Sequence, residues 1–260
     1  MLHYTVYRNN KKKSSWITFI HGAGGSSSIW FKQIRYFSKY FNLLLIDLRG
    51  HGNSKSLMVN PFQPKYTFKV VTEDIIGVLD NEKIIKSHFV GISLGSILIQ
   101  KMIQLHSNRV EKIGLGGAIL NLNLQSRFLM FMGKLTQSVF PFIWIYTFFA
   151  YVIMPYKAHR KSRALFIKEA KKISHAEFGR WYKLTATILP VLAKIRGKQL
   201  KPPTLYIMGI QDYMFLPFVK KIIMIHQNAT MIILPGSGHV VNIDQPDLFN
   251  DNLLNFFLED

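Results

Sequence analysis

Hydrophobic residues along this chain form short continuous runs that end in turn-forming residues. Continuous apolar runs rich in β-branched residues are typical of strands covered on both faces, as in a parallel sheet. An earlier segment, in which Leu2, Tyr4 and Val6 alternate with polar residues, predicts one further strand. The predicted buried strands are residues 16–20, 42–46, 88–90, 112–115, 204–208 and 231–234.

Between these runs, apolar residues recur at helical spacing. Residues 67–79 and 96–105 show this pattern, and residues 247–258 form a last apolar-faced helix. Strands that alternate with helices predict an α/β fold with a doubly wound, mostly parallel sheet and right-handed crossovers. In such a fold, ligands bind at the carboxyl ends of the strands.

The alternation stops at residues 121–199, where aromatic and basic residues dominate and no strand is predicted. We interpret residues 119–200 as a helical cap inserted into a core formed by residues 1–118 and 201–260. Residues 135–156 carry no charge and have the length of a membrane span, but Pro141 and Pro155 leave only about a dozen residues between them. We therefore expect this run to belong to the cap and not to cross a membrane.

Charge is concentrated in the same segment. The chain has a formal net charge of +19, and residues 119–199 hold fourteen lysines and arginines against Glu169 and Glu177. Either the cap helices only pack their aromatic face onto the core, where they line an apolar pocket, or part of that face makes peripheral contact with an anionic membrane. In the second case the basic residues facing the lipid are Lys157, Arg160, Lys161, Arg163, Lys168, Lys171 and Lys172. A general basic bias of the proteome would explain the charge equally well.

The chain contains no cysteine, which excludes disulfides, thiolate nucleophiles and cysteine-based metal sites. At the N-terminus three lysines follow the apolar residues, whereas the charges of a signal peptide precede them. We expect a cytoplasmic protein, with peripheral membrane contact as the alternative. No metal or nucleotide motif is evident, so no cofactor is expected. The basic residues form no nucleic-acid motif, so no nucleic-acid partner is expected either.

The strongest chemical signal is a G-x-S-x-G motif at residues 91–95, directly after a predicted strand and directly before a helical run. In a nucleophile elbow, the serine occupies a strained turn and the flanking glycines allow strand and helix to approach each other. Ser93 is therefore the candidate nucleophile. A glycine-flanked serine in an ordinary tight turn is the alternative.

Two further motifs accompany the elbow: H-G-A-G-G at residues 21–25 and D-L-R-G-H-G-N-S at residues 47–54. With them the sequence resembles the α/β-hydrolase superfamily over roughly the first 118 and the last 60 residues. The resemblance implies that the N–H groups of Ala23 and Leu94 form an oxyanion hole, an effect worth about 3 to 4 kcal/mol per donor. We assign Asp47 and Arg49 a structural role, through pairing and backbone hydrogen bonds, and interpret His51 as a loop histidine.

A serine nucleophile needs a base, because its hydroxyl barely ionises near neutrality. His239 follows the strand 231–234 in a glycine-containing loop, where the resembled family places its catalytic histidine. Asp212 follows the strand 204–208 and is the only aspartate between Ser93 and His239, as the family's chain order requires. A helix-capping role is the alternative for Asp212. The histidines interpreted as packing or surface residues are His3, His88, His106, His159, His175 and His226.

These residues imply acyl transfer, and we expect a hydrolase of carboxylic esters, with an apolar acyl or lipid ester as the small-molecule substrate. A thioesterase uses the same triad. Carbon–carbon bond hydrolysis, or elimination as in the menaquinone-pathway synthase of this fold, also stays open, because function lies in the pocket. The intact triad argues against a non-catalytic ligand-binding member. A serine at the elbow argues against haloalkane dehalogenases and epoxide hydrolases, which use aspartate there.

Overall fold

Seven strands form one sheet in the computed structural model, which describes residues 1–10, 14–54, 66–136, 139–185, 187–196 and 201–259. Their order across the sheet is β1-β3-β2-β4-β5-β6-β7; β1 is antiparallel to β3 and the other neighbours are parallel. The predicted doubly wound, mostly parallel sheet is confirmed. The strands are β1 Tyr4–Tyr7, β2 Trp16–Ile20, β3 Asn42–Ile46, β4 Ser87–Ile92, β5 Val110–Gly116, β6 Thr204–Gly209 and β7 Ala229–Leu234.

Both faces of the sheet are covered, which explains why the strands are continuously apolar. In β3, Leu43 and Leu45 belong to one buried cluster, and Leu44 and Ile46 belong to the other. Successive side chains of a strand point to opposite faces. When both faces are covered, neither faces solvent, so apolar and polar residues do not alternate along the strand. The sheet therefore separates two hydrophobic cores.

Eleven α-helices lie among the described residues. α2, α3 and α9 contribute to one core, and α1 and α11 contribute to the other. Thr67, where the first helical pattern begins, is the N-cap of α2: its side chain accepts a hydrogen bond from the N–H of Val70. The helices are α1 Phe31–Phe37, α2 Phe68–Asn81, α3 Leu94–His106, α4 Leu124–Thr136, α5 Phe142–Ile153, α6 Arg160–Ala170, α7 His175–Thr185, α8 Ile188–Arg196, α9 Leu216–Ile223, α10 Val241–Asp244 and α11 Pro246–Leu258.

The part of the chain between β5 and β6, which we call the cap segment, contributes α4 to α8 and no strand among its described residues. α5 has 12 residues and follows Pro141 directly, as the proline positions suggested. Within the described ranges, no helix is both long enough and apolar enough to cross a membrane.

Buried contacts from several of its helices attach the cap segment to the core. Leu129 of α4, Trp181 of α7 and Leu192 of α8 join one hydrophobic core, and Ala150 of α5 joins the other. The indole Nε1 of Trp181 also donates a hydrogen bond of 2.9 Å to the carbonyl oxygen of Arg49. The cap segment thus covers the carboxyl edge of the sheet, where the loops after β4, β6 and β7 begin.

Candidate active site

Ser93 lies between the end of β4 and the start of α3, in the backbone conformation that an elbow requires. Its φ is 55° and its ψ is −115°, a strained region for a residue with a Cβ. A Cβ added to Gly91 would lie 2.5 Å from Ile99 Cδ1, and one added to Gly95 would collide with the carbonyl oxygen of Ile20. Both glycines are therefore needed for helix, strand and turn to fit together, which is the physical reason for the motif.

The structure brings Ser93, His239 and Asp212 into one hydrogen-bonded relay. His239 Nε2 lies 2.9 Å from Ser93 Oγ, and His239 Nδ1 lies 2.8 Å from Asp212 Oδ2. A carboxylate only accepts hydrogen bonds, so Nδ1 carries the proton and Nε2 is left to accept the serine hydroxyl. Asp212 and His239 are both buried, which keeps water from competing for these bonds.

Asp212 binds its own loop as well as His239, but it is not the cap of α9, whose N-cap is Phe215 without a side-chain cap hydrogen bond. Its Oδ2 accepts from His239, while its Oδ1 accepts a hydrogen bond of 3.2 Å from the N–H of Phe215 before α9. The ring of Phe215 in turn lies 4.8 Å from the imidazole of His239, measured between centroids. The carboxylate is thus fixed by its own loop and directed at the imidazole.

Ala23 and Leu94 line the same cavity as Ser93. Leu94 is the first residue of α3, where helix N–H groups lack intrahelical acceptors and the helix dipole is positive. Among the described residues, neither the N–H of Ala23 nor that of Leu94 donates a hydrogen bond to a protein atom. Both amides thus belong to residues that border the cavity at Ser93, and neither has a backbone acceptor among the described residues.

Two buried histidines hold the loop that carries Ala23. His21 Nε2 accepts from the N–H of Leu48 at 3.0 Å, and His51 Nε2 accepts from the N–H of Gly24 at 3.0 Å. The Nδ1 of each ring donates to a nearby carbonyl oxygen, at 2.7 Å and 2.8 Å respectively. This pattern requires both rings to be neutral, in agreement with the burial that lowers the pKa of His21 and lowers the pKa of His51 to about 3. His51 is therefore a cross-link between two loops, and not a base.

Asp47 and Arg49 hold the loop after β3, but through different partners. The carboxylate of Asp47 accepts from the N–H groups of Ser27 and Asn53, at 2.7 Å and 2.9 Å. Although burial raises its pKa, these backbone hydrogen bonds outweigh that effect and leave the pKa of Asp47 below its ordinary value. Arg49 pairs with Asp74 of α2, with Nη2 2.7 Å from Oδ1. The loop is thus fixed to its own turn and to a core helix.

Two residues of the cap segment reach the loops that carry Ala23, Asp212 and His239, and sequence reasoning missed both. His159 Nε2 lies 2.8 Å from Gln211 Oε1, and its ring packs against Gly238. Gln211 directly precedes Asp212 in the chain, and Gly238 directly precedes His239. The hydroxyl of Tyr146 donates a hydrogen bond of 2.8 Å to the carbonyl oxygen of Ala23. No local motif signals either contact, because each joins positions more than 50 residues apart.

A cavity of about 210 Å³ extends from Ser93 under the cap segment, and its lining is almost wholly apolar. A smaller cavity, of about 20 Å³, lies on the His239 side of Ser93. In the part of the chain that the structure describes, no cluster of three or more histidine and carboxylate side chains is suited to hold a metal ion. Side chains that shape the main cavity include Leu129, Met130, Phe149, Tyr182, Ile188 and Met214.

Such a sheet, with a serine at the elbow after β4 and an acid and a histidine after later strands, defines the α/β-hydrolase class of proteins. A model of the alpha/beta hydrolase family matches residues 19–252, so this chain belongs to that family.

Relatives that resemble the chain over nearly its whole length are hydrolases by name. The putative carbamate hydrolase RutD of Agrobacterium fabrum is 22% identical, over 99% of this chain and 98% of that protein. The pimeloyl-[acyl-carrier protein] methyl ester esterase of Wigglesworthia glossinidia brevipalpis is 27% identical, over 90% of each. Shorter matches also occur: the one with the RutD of Acinetobacter baylyi spans 35% of that protein.

Among solved structures, the enol-lactonase of Burkholderia xenovorans LB400 superposes with a TM-score of 0.81. It is 21% identical, and the match covers 99% of this chain and 96% of that one. At this identity the likeness establishes the fold alone. Family and relatives together support hydrolase activity, without specifying the bond or the substrate.

Proposed function

We propose that this protein is a serine hydrolase that cleaves carboxylic esters of apolar acyl groups through an acyl-enzyme on Ser93. The observation that carries the proposal is the unbroken relay from Asp212 through His239 to Ser93, at 2.8 Å and 2.9 Å, which opens into an apolar cavity. A nucleophile, a base and an orienting acid in hydrogen-bond contact are what acyl transfer requires.

In the first half of the reaction, His239 Nε2 takes the proton of Ser93 as Oγ attacks the acyl carbonyl. The amides of Ala23 and Leu94 bind the negative charge on the carbonyl oxygen, and Asp212 stabilises the imidazolium that forms. His239 then gives its proton to the leaving alkoxide, and the acyl-enzyme is left.

In the second half, His239 removes a proton from water, which attacks the acyl carbonyl and releases the carboxylic acid. The same two amides bind the second oxyanion, and Ser93 recovers its proton from His239. The burial of the Asp212 and His239 side chains keeps this relay aligned through both halves.

The lining of the main cavity supports an apolar acyl chain as the group bound there. No lysine or arginine is among the described residues that line it, so a carboxylate-bearing substrate would find no cationic partner. This favours an ester, or a thioester of the same acyl group, over the anionic substrates of carbon–carbon bond hydrolysis. The methyl ester named for the Wigglesworthia relative agrees with this choice.

A chain-length series of p-nitrophenyl esters, with parallel acyl-thioester substrates, tests the proposal. We expect kcat/KM to rise from acetyl to medium or longer acyl chains, because each added methylene is buried in the cavity. Ester turnover above thioester turnover supports the ester assignment, and the reverse order selects the thioesterase. Covalent labelling by a fluorophosphonate without turnover of either series would move the function to the elimination class.

A further inference from the structure

The outward faces of α4 and α5 are apolar and exposed. Their apolar side chains recur every three or four residues, so each helix presents one continuous stripe to solvent. We call these two stripes the docking face, and its members are between 46% and 85% exposed. They are Leu124, Phe128, Phe131 and Leu135 on α4, with Phe140 just before α5 and Trp144, Phe148 and Tyr151 on it.

The opposite faces of the same two helices are also apolar, because they cover the core and the catalytic cavity. Leu129 and Gly133 of α4, and Ile145, Tyr146 and Ala150 of α5, are buried. A surface helix of a soluble domain normally buries one stripe and gives polar residues to water. A helix pair that is apolar on both sides leaves one side for a further contact.

The charges of the cap segment indicate what that contact is. Its only carboxylates, Glu169 and Glu177, are buried and paired with Lys172 and Arg180. The guanidinium of Arg163 lies 4.3 Å from the ring centroid of Tyr151, at the edge of the docking face. The solvent side of the segment thus carries cations and no carboxylate. Its exposed basic residues include Arg127, Lys157, Arg160, Lys161, Lys168 and Lys171.

We propose that the docking face binds the surface of an anionic lipid bilayer. Its leucines and aromatic rings enter the boundary between headgroups and acyl chains, where tryptophan and tyrosine are favoured, and the basic residues contact the headgroup phosphates. A second copy of the chain fits this face less well, since two surfaces with the same excess of positive charge repel each other.

The docking face adjoins the catalytic cavity. A groove of about 210 Å³ between α4 and α5 opens on the docking face, and Phe149 lines both this groove and the cavity at Ser93. On the inner side of α5, Tyr146 contacts the loop of Ala23. A bilayer bound here therefore lies one side chain, that of Phe149, away from the acyl site.

Vesicle binding tests the proposal without substrate turnover, so its outcome is independent of the ester chemistry. The full chain is sedimented with vesicles of phosphatidylcholine alone and of phosphatidylcholine mixed with phosphatidylglycerol. We expect at least about tenfold tighter partitioning to the anionic vesicles, which weakens as salt screens the charges. Trp144 is the most exposed of the four tryptophans, so its emission should shift to the blue on binding, and Trp144→Phe should remove that shift.

Two matched pairs of variants locate the contact. The double variant Trp144→Ser with Phe148→Ser should weaken binding by about tenfold or more, because it removes two large apolar groups from the docking face. Its control, Ile85→Ser with Met224→Ser, removes exposed apolar groups that lie outside the cap segment, and it should not weaken binding. Lys157→Glu with Arg160→Glu should weaken binding, while Lys220→Glu with Lys221→Glu on α9 makes the same change in net charge elsewhere. Unchanged thermal unfolding midpoints show that the variants are folded.

Equal partitioning to neutral and anionic vesicles, or equal loss in each test pair and its control pair, would overturn the proposal. A dimer in light scattering that Trp144→Ser with Phe148→Ser dissociates, without vesicle binding by the wild type, would assign the docking face to a second copy instead.

Discussion

The carboxyl edge of the sheet and the cap segment that covers it are built in opposite ways. At the edge, polar side chains are buried and bound to specific partners: His21, His51 and Asp47 each accept backbone N–H groups from neighbouring loops. In the cap segment, aromatic side chains lie on both faces of the helices, inward at the cavity and outward in solvent. The edge thus fixes the positions of the loops around Ser93, and the cap segment provides the apolar lining of the cavity and an apolar outer surface.

This contrast divides the expected effects of mutation. A change at the edge displaces a reacting group and should alter the rate of the chemical step, whereas a change in the cap segment should alter which acyl chain binds. Substitution of a residue that connects the two regions, such as His159, tests whether effects on the rate and effects on acyl-chain binding are separate.

The largest expected effect follows from Ser93→Ala at the edge. Removal of the nucleophile should lower kcat by about 10⁴-fold or more, because the amides and the cavity alone provide only residual catalysis. The rate is measured with the preferred p-nitrophenyl ester at saturation. Ser107→Ala, an exposed serine at the end of α3, is the control and should keep full activity. Turnover by Ser93→Ala within tenfold of wild type would refute the covalent mechanism.

A smaller effect is expected for His159→Ala, which removes a cap side chain that positions both catalytic loops. We expect kcat to fall by about tenfold with little change in KM, since a displaced imidazole slows proton transfer without closing the cavity. His159→Gln, which keeps a donor for Gln211, should restore part of the rate. His175→Ala, at an exposed histidine of the same segment, is the matched control. Equal losses in kcat for His159→Ala and His175→Ala would show that the cap segment does not position the triad.

Selectivity should change, with little loss of rate, when the cavity is shortened by Ile188→Phe. The larger ring occupies space under the cap segment, so the ratio of kcat/KM for long over short acyl chains should fall by about fivefold. Leu189→Phe, at the next residue, makes the same change in volume at a position that does not line the cavity. A parallel drop for all chain lengths would place the acyl chain elsewhere.

The last expected effect is on stability instead of turnover, and it concerns the acid sensitivity of the edge. His51 is neutral when folded, with a pKa of about 3 against an ordinary value of 6.5, so the unfolded chain takes up a proton below pH 6.5 that the folded chain does not. Its contribution to stability is complete above pH 6.5 and is lost as the pH falls towards 3, at up to about 1.4 kcal/mol per pH unit. Urea unfolding at pH 7, 6, 5 and 4 measures this slope.

In that experiment His51→Gln should make the slope shallower by about one proton, whereas His175→Gln in the cap segment should leave it unchanged. A wild-type free energy of unfolding that stays constant from pH 7 to pH 4 would contradict the neutral, buried histidines described at the edge.

The same contrast explains how much of the molecule could be predicted from its sequence. Strand bounds were predictable where both faces are buried: residues 16–20 and 42–46 coincide with β2 and β3. The elbow was predictable because its G-x-S-x-G motif is contiguous in the chain, although the close approach that requires Gly95 is to Ile20 of β2. Helical character was also predictable for the region of the cap segment, from the absence of strand patterns there.

The remainder depends on contacts between distant parts of the chain. The hydrogen bond from Gly24 that makes His51 a cross-link, and those that bring His159 and Tyr146 to the catalytic loops, join residues separated by 27 to 123 positions. Apolar side chains on both faces of α4 and α5 were visible in the sequence as composition only. Which side chains face the cavity and which face solvent is decided by how these helices pack.

The measurement that tests the central claim most directly is the location of a covalent adduct. The protein is reacted with a fluorophosphonate, digested, and the modified peptide is sequenced by mass spectrometry, with His239→Ala in parallel. We predict one adduct per chain, on Ser93, and its loss in His239→Ala because the hydroxyl is no longer activated. An adduct on another residue, or undiminished labelling of the wild-type site in His239→Ala, would contradict the account.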